Sequence, residues 1–368
     1  MKKIGILSMQ KIINYGSFLQ AYGLHKLIKS VYPEEEINFI DIIPGRKLDI
    51  NNISKSQKIK NIITAGKQGL FFEKIEDKIF MKKLGNQFET KFFPLLDLDS
   101  ENNSKRYSTV VIGSDEVFHC CQNAAWGFST QLLGDVKNTD NVFSYAGSFG
   151  ATTYDDILKA GIIDEVKNAL SNLSSISVRD ENSKKIIHKI LNKEAEIHLD
   201  PVLISDFDDE IKATEDFIAN ERFMVVYSYA GRINNHREIE NIKNFAKKNN
   251  LKIYTVFCRY KWADKTIIPT TPFHLLKIFQ QAEYVVSDTF HGSIFSIISH
   301  KRFCTLVRES NKEKMKSLLK MLKLDERAVY SPEMILKILD KKIDYDAVDN
   351  IRNNELKKSL KFLKENIR

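Results

Sequence analysis

Apolar runs of strand length alternate with segments of helical periodicity along most of this 368-residue chain. Runs in the first half predict strands at residues 4–9, 37–43, 109–112, 142–146 and 176–178. Most of these runs are apolar on both faces, which is typical of a parallel sheet covered by helices on both sides. Residues 18–30 carry apolar side chains at helical spacing, so we predict a crossover helix after the first strand.

A second series of strands and helices follows residue 220. Its predicted strands are residues 223–229, 252–257, 284–287 and 303–307, with helices such as 235–248 between them. The polar, acidic segment 205–220 separates the two series and predicts a domain boundary. The charged tail 345–368 has aliphatic residues at helical spacing, so we expect a last helix that packs back on the body.

These patterns predict an α/β protein of two domains, which also suits the length of the chain. Residues 1–205 would form the N-terminal domain, residues 221–330 the C-terminal domain, and residues 331–368 helices that return to the body. A lysine-rich helical stretch over about 51–92 is predicted to be an insertion in the first domain. Its alternative role is a surface-docking element for a lipid-linked substrate.

Composition narrows the class of protein and its location. No window of about eighteen uncharged apolar residues occurs, so the sequence predicts no transmembrane helix. The formal charge of +8 is spread along the chain, which suits anionic small molecules or an anionic membrane surface, and no nucleic-acid motif accompanies it. Cys120, Cys121, Cys258 and Cys304 lack metal-type spacing. We therefore expect no metal site and a cytoplasmic protein, either free or peripheral at the inner membrane face.

The segment 285–293 changes from an apolar run to Asp, His and Gly before helical periodicity resumes. This pattern predicts a strand, a tight turn and a helix start. Ligands bind beyond the carboxyl ends of strands in open α/β sheets, so His291 is predicted to face a ligand. The N–H groups of Gly292 and Ser293 open the helix and can attract phosphate or carboxylate. The alternative is that His291 merely caps the helix.

Turns in the first half place further polar groups just past predicted strands. These candidates are Asn14, Gly16 and Gln20 after the first strand, Ser114 and Asp115 after the third, and Arg179 at residues 177–181. Gly16 permits close backbone approach, and the Asn14 and Gln20 amides suit sugar hydroxyls; the alternative is a purely structural turn between strand and helix. Asp115 can orient or deprotonate a hydroxyl, or cap the next helix. Arg179 can hold a carboxylate or phosphate, or form an ion pair with Asp180, Glu181 or another acid.

Six short blocks, taken in order, resemble the polysaccharide pyruvyl transferases. They are residues 14–22, 113–118, 144–150, 177–180, 199–203 and 287–292. The resemblance implies two Rossmann-like domains facing across a cleft, a fold similar to that of GT-B glycosyltransferases. It also implies transfer of a pyruvyl group from phosphoenolpyruvate to two hydroxyls of a sugar, forming a cyclic ketal and releasing phosphate. The family histidine at the catalytic centre is matched by His291, and basic residues hold the phosphoenolpyruvate.

Roles for single residues follow from this chemistry. The methylene carbon of phosphoenolpyruvate needs a proton, so His291 is predicted to be the general acid. Arg179 and the N–H groups of Gly292 and Ser293 are predicted to neutralise phosphoenolpyruvate, which acts as co-substrate without a cofactor. Predicted contacts to the acceptor, a sugar or a lipid-linked glycan, come from Asn14, Tyr15, Gly16, Gln20 and Ser114, with Asp115 as base.

One residue departs from the family pattern. Relatives often have arginine two places before the catalytic histidine, where this chain has Thr289. Either another cation (Arg179, Arg232, Arg259 or Lys261) supplies that charge, or the donor differs. Two other functions therefore remain open. One is a GT-B-type glycosyltransferase or sugar-nucleotide enzyme, and the other is a non-catalytic sugar-binding protein.

Overall fold

The computed structural model describes residues 2–48, 82–98, 100–122 and 124–368. Within them the chain forms two parallel sheets of six strands each, which confirms the predicted α/β class. Most of the predicted helical insertion over 51–92 lies outside the described residues. Residues 82–96 are helical and end in the π-helical Phe88–Phe92 and the 3-10 segment Phe93–Leu96.

The first sheet occupies the N-terminal part of the chain. Its strands are β1 (Lys3–Leu7), β2 (Glu36–Phe39), β3 (Thr109–Asp115), β4 (Val142–Gly147), β5 (Ser177–Val178) and β6 (Glu196–Ile197). Their order in the sheet is β2-β1-β3-β4-β5-β6. Every residue of β3 and β4 is buried, as expected for strands covered on both faces. β3 runs three residues beyond the predicted end, so it carries Asp115 to the edge of the sheet.

Helices cover this sheet and connect its strands. They are α1 (Tyr15–Val31), α2 (Tyr154–Lys159), α3 (Ile163–Ser171), α4 (Glu181–Leu191), α5 (Pro201–Ile204) and α6 (Asp208–Lys212). α1 begins three residues before its predicted start because Asn14 caps it. The Asn14 side chain accepts hydrogen bonds from the backbone N–H groups of Gly16 (2.7 Å) and Ser17 (3.3 Å).

The second sheet starts after residue 222. Its strands are β7 (Phe223–Tyr227), β8 (Lys252–Val256), β9 (Lys265–Ile267), β10 (Tyr284–Ser287), β11 (Arg302–Leu306) and β12 (Ala328–Val329). They are arranged in the order β12-β11-β10-β7-β8-β9. The helices around it are α7 (His236–Lys248), α8 (Pro272–Gln281), α9 (Phe290–Ile298), α10 (Lys312–Met321) and α11 (Met334–Asp340). β10 has the predicted bounds, whereas β7 ends two residues early and leaves residues 228 and 229 in a loop.

The last helix, α12 (Tyr345–Asn366), crosses back to the first sheet as predicted. Its Phe362 ring lies 4.6 Å from the His198 ring. The side-chain amide of Asn141 donates to the carbonyl of Asn366 at 2.8 Å. In the part of the chain that the structure describes, no helix combines the length and the apolar character that crossing a bilayer requires.

Candidate active site

A cavity of about 590 Å³ lies between the two sheets, beyond the carboxyl ends of their strands. Charged and polar residues on its walls include Asn14, Ser17, Asp115, Glu116, His119, Arg179, Tyr229, Arg232, Asp288, His291 and Lys314. This is the place where open α/β sheets bind ligands, and the volume is typical of small-molecule sites. The cavity is therefore the candidate active site.

His291 lines the cavity from the first turn of α9. The helix is capped by Thr289, whose hydroxyl accepts from the Gly292 N–H at 2.9 Å, so the alternative role of His291 as the cap is wrong. The imidazole stacks on the Phe295 ring with centroids 6.0 Å apart. Its Nε2 lies 3.8 Å from Asp200 Oδ2 and has no hydrogen-bond partner among the described residues. This buried nitrogen therefore has unused hydrogen-bonding capacity in the ligand-free protein.

Gly16 allows the His291 ring to pack directly on the first turn of α1. A Cβ atom at position 16 would stand 2.4 Å from His291 Nδ1, a separation that real Cβ contacts do not show. No other residue type fits there while the imidazole keeps its place. The structure thus gives Gly16 a positioning role across the domain interface, in place of the predicted contact with an acceptor.

The surroundings of His291 keep its imidazole neutral at neutral pH. Burial lowers the pKa of His291, and the charges of Arg179 and Lys314 act in the same direction. Asp200 and Asp115 oppose this lowering. An anion bound beside the ring would raise the pKa again, because a nearby negative charge favours the protonated imidazole. His291 is therefore suited to a proton transfer that an anionic ligand switches on.

Arg179 is held in a buried ion-pair network. Its Nη1 donates to Asp200 Oδ2 at 2.9 Å and lies 3.4 Å from Asp115 Oδ1. The guanidinium also lies over the Phe290 ring, 4.3 Å from its centroid. The ion-pair alternative is thus what the structure contains, although the acids are not the adjacent Asp180 and Glu181. Two carboxylates offset the charge of Arg179, so its predicted role as the clamp for phosphoenolpyruvate stays a prediction.

Asp115 connects α1 to this network. Its Oδ2 accepts from the Ser17 hydroxyl at 3.1 Å, and its Oδ1 faces Arg179. Residues 116–122 form turns, so the alternative in which Asp115 caps a following helix is wrong. Because both carboxylate oxygens already have partners, Asp115 is better placed to orient neighbours than to receive a proton. Its role as base stays a prediction.

Two predicted acceptor contacts lie behind the cavity wall. Gln20 is fully buried and its Nε2 donates to the Ser8 hydroxyl at 2.9 Å. Ser114 is also fully buried, and its hydroxyl accepts from the Asp115 N–H at 2.6 Å. Both residues support the edge of the first sheet, so the prediction that they contact an acceptor is wrong.

The predicted phosphate cradle at the start of α9 is also wrong. The Gly292 N–H is taken by the Thr289 hydroxyl, and the Ser293 N–H donates to the Thr289 carbonyl at 3.2 Å. Tyr15 lines the cavity, but its hydroxyl donates to the Pro269 carbonyl at 3.0 Å and its ring packs 5.1 Å from Phe257. Tyr15 therefore joins the two domains.

Several charged groups of the site were not predicted from the sequence. Asp200 holds Arg179 and caps α5 by accepting from the Val202 N–H at 3.0 Å, a role that an acid before Pro201 could have suggested. Glu116 accepts from Lys314 at 2.6 Å. Nothing local indicates that contact, because it joins residues 198 positions apart. Burial alone would raise the pKa of Glu116, but His119 and Lys314 hold it well below its usual range.

Arg232 is a cation on the cavity wall that is not held by an ion pair among the described residues. It lies over the Tyr229 ring, 4.9 Å from the centroid, and donates to the Ser310 hydroxyl at 3.2 Å. Among the described cations on the cavity wall, Arg232 alone has no ion pair. Arg259 and Lys261, the other candidates to replace the missing arginine, do not line the cavity. Within the described residues, no cluster of three or more His, Cys, Asp or Glu is placed to hold a metal ion.

The two facing sheets and the cleft between them define a GT-B-like fold. A UDP-GlcNAc 2-epimerase from Neisseria meningitidis, bound to UDP-GlcNAc, matches with a TM-score of 0.52 at 9% identity over 100% of this chain and 99% of that chain. A UDP-GlcNAc 2-epimerase from Methanocaldococcus jannaschii matches with a TM-score of 0.47 at 12% identity, over 96% of this chain and 99% of that one. At such identities the likeness concerns the fold alone.

The sequence itself identifies the family. The polysaccharide pyruvyl transferase family model matches residues 14–310, which include most of the residues that line the cavity. The chain belongs to the polysaccharide pyruvyl transferase family. No curated protein sequence matches it significantly.

Proposed function

We propose that this protein transfers a pyruvyl group from phosphoenolpyruvate to two hydroxyls of a sugar, in a polysaccharide or its lipid-linked precursor. The products are a cyclic ketal and phosphate. The observation that carries the proposal is His291, a buried and neutral imidazole whose Nε2 has no hydrogen-bond partner among the described residues. It lies in a cavity where Arg232 forms no ion pair with any described residue. Family membership supports the same reaction. Under this proposal the protein acts in the cytoplasm, where phosphoenolpyruvate is made. Its acceptor is either free in the cytoplasm or located at the inner face of the membrane.

The chemistry begins with the charge of phosphoenolpyruvate. Its carboxylate and phosphate bring negative charge beside His291, which raises the pKa of the imidazole and loads it with a proton. The protonated ring then gives this proton to the methylene carbon while a sugar hydroxyl bonds to C2. General acid catalysis of this kind is worth about a hundred- to ten-thousand-fold in rate. The bond from C2 to the phosphate oxygen breaks, and phosphate leaves with the proton of the first hydroxyl. A second hydroxyl then bonds to C2, and its proton restores the imidazolium.

Arg232 is proposed to bind the negative charge of phosphoenolpyruvate, in place of the arginine that relatives carry at the position of Thr289. Replacing Arg232 by Gln should raise the KM for phosphoenolpyruvate by about ten- to a hundredfold, since a hydrogen bond to a charged group contributes about 1.5–3 kcal/mol. Arg232→Lys should recover part of the loss, because it keeps the charge without the planar fork. Arg237→Gln, at an exposed position on α7, is the matched control. An unchanged KM in Arg232→Gln would assign the role to Arg179 or Lys314.

Deuterium incorporation tests the reaction itself. Ketal formation converts the methylene carbon of phosphoenolpyruvate into a methyl group, so one of its hydrogens comes from solvent. In deuterated water, with phosphoenolpyruvate and a panel of p-nitrophenyl hexopyranosides, we expect a ketal methyl that carries deuterium and an equal amount of phosphate. Mass spectrometry and NMR of the product measure both. A glycoside product without a pyruvyl methyl, or one that needs a nucleotide sugar, would establish a glycosyltransferase instead.

A further inference from the structure

Asp288 is a buried carboxylate on the cavity wall that the mechanism above leaves unused. It follows β10 directly, its residue is 0% exposed, and neither carboxylate oxygen has a hydrogen-bond partner among the described residues. Asn311 fixes its backbone by donating to the Asp288 carbonyl at 2.7 Å. An unpartnered buried carboxylate is costly, because burial removes hydration without replacing it. Such a group is typically retained for a ligand that supplies the missing hydrogen bonds.

The groups around Asp288 do not satisfy it. Arg308 Nε lies 3.6 Å from Oδ2, but the terminal nitrogens of that guanidinium are held by Glu238 at 2.7 and 2.9 Å. The nearby Ser228 hydroxyl lowers the pKa of Asp288, but its hydrogen bond goes to the Tyr229 carbonyl at 3.0 Å. The buried carboxylate thus keeps unused acceptor capacity beside the cavity, on the same turn as His291.

The chemistry of the Asp288 carboxylate determines which ligand groups it can bind. An ionised carboxylate only accepts hydrogen bonds, and it repels the carboxylate and phosphate of phosphoenolpyruvate. A sugar hydroxyl, which can donate a hydrogen bond, is the complementary group. Asp288 also differs from Asp115, the carboxylate that the sequence predicts to be the base. Both oxygens of Asp115 already accept hydrogen bonds, one from Ser17 and one from Arg179.

We propose that Asp288 binds the attacking hydroxyl of the acceptor sugar and takes its proton. This assignment rests on the proposed function. The hydroxyl O–H bond breaks, its oxygen bonds to C2 of phosphoenolpyruvate, and the C2=C3 electron pair takes a proton from the His291 imidazolium. The bond from C2 to the phosphate oxygen then breaks, and Asp288 returns its proton to the departing phosphate. The second hydroxyl bonds to C2 and its proton restores His291, so both residues end in their starting states.

The surroundings of Asp288 raise the pKa of its carboxylate, as a general base requires. Burial raises the pKa of Asp288, while the Ser228 hydroxyl and the Arg232 and Arg308 guanidiniums limit that rise. A carboxylate with a raised pKa is a stronger base than one in water, and a base works best when its pKa approaches the working pH. The hydroxyls of Tyr229 and Tyr260 also face this charge, and desolvation and the charge of Asp288 both raise their pKa, so both stay protonated at neutral pH.

The test compares Asp288→Asn with the wild-type protein under the deuterium assay conditions, using the same glycoside panel. We expect kcat to fall by about a hundredfold or more, as for loss of a general base, with phosphoenolpyruvate affinity changed less than about twofold. The rise of kcat with pH that reports an ionised base should disappear in this variant. Asp209→Asn, at a solvent-exposed carboxylate on α6, is the matched control and should keep the wild-type rate.

Each result bears on the assignment. A folded Asp288→Asn protein that keeps kcat within about threefold, or that loses phosphoenolpyruvate affinity as strongly as kcat, would overturn it. If Asp288→Asn does not fold, Asp288→Glu decides, because a shifted carboxylate base moves the rising limb of the pH profile and a structural residue leaves it in place. Absence of ketal from the wild-type protein would overturn the proposed function and this assignment together, whereas wild-type ketal with normal Asp288→Asn turnover would overturn the assignment alone.

Discussion

Replacing His291 by Gln should lower turnover by about a hundred- to ten-thousand-fold while phosphoenolpyruvate still binds. Glutamine is polar and of similar size, but its amide cannot deliver a proton to carbon. Because the lost interaction exists only in the transition state, kcat and kcat/KM should fall together. Phosphate release with the glycoside panel measures the rates, and thermal unfolding with and without phosphoenolpyruvate measures folding and binding. His188→Gln, at an exposed histidine on α4, is the control.

The pH profile should identify the same imidazole. Burial, Arg179 and Lys314 lower the pKa of His291 from 6.5 in the ligand-free protein, and the protonated form is the reactive one. The value of kcat/KM should therefore be full below that lowered pKa and decline as pH rises through it. Bound phosphoenolpyruvate raises the pKa, so the declining limb of kcat should lie at higher pH. A folded His291→Gln protein that keeps its turnover, or keeps the declining limb of the pH profile, would show that His291 is not the general acid.

Sequence patterns were sufficient to predict the α/β fold because most strands are buried apolar runs between helical segments. The short strands β6 and β9, which begin with exposed charged residues, were not predicted. The bounds of β10 agree with the prediction, since the apolar residues 284–286 give way to polar residues from Ser287 onward. The end of β2 does not: Ile40 still donates its backbone N–H to the Ile6 carbonyl at 2.8 Å, and Ile42 beyond it packs beside the sheet. Apolar character reports burial, and burial extends beyond the hydrogen-bonded strand.

The site was predictable only where local sequence decides which way a side chain faces. His291 follows a strand end directly, and it lines the cavity. Gln20 is six residues from Asn14 in α1, and its helical position turns it toward the Ser8 hydroxyl under the sheet edge. The pairing of Lys314 with Glu116 depends on how the two domains meet, and the surroundings of Asp288 depend on side chains from other parts of the second domain. No local pattern encodes either.

Replacing Gly16 by Ala should impair catalysis almost as strongly as loss of the imidazole, although residue 16 itself donates no proton. Alanine favours the helix by about 1 kcal/mol over glycine, so a local loss of helix is not the expected cause. The new methyl carbon would meet His291 Nδ1 at 2.4 Å, and the ring must move away from its place beside Asp200. Displacing a catalytic group by about 1 Å costs on the order of a hundredfold in rate. Gly23→Ala, in the same helix, is the control.

A double substitution separates displacement of His291 from other effects of the methyl group. At Gly23 the nearest atoms to the new carbon would be the Ser205 hydroxyl at 3.1 Å and Pro201 at 3.3 Å. These contacts need shifts of a few tenths of an ångström and lie away from His291, so that variant should keep most of its activity. If Gly16 acts through the imidazole, adding Gly16→Ala to His291→Gln should cost little more, because the group it displaces is already gone. Single-turnover rates for the two single variants and the double variant measure this. Fully additive losses would mean that Gly16 serves the site by another route, such as the close contact of the two domains itself.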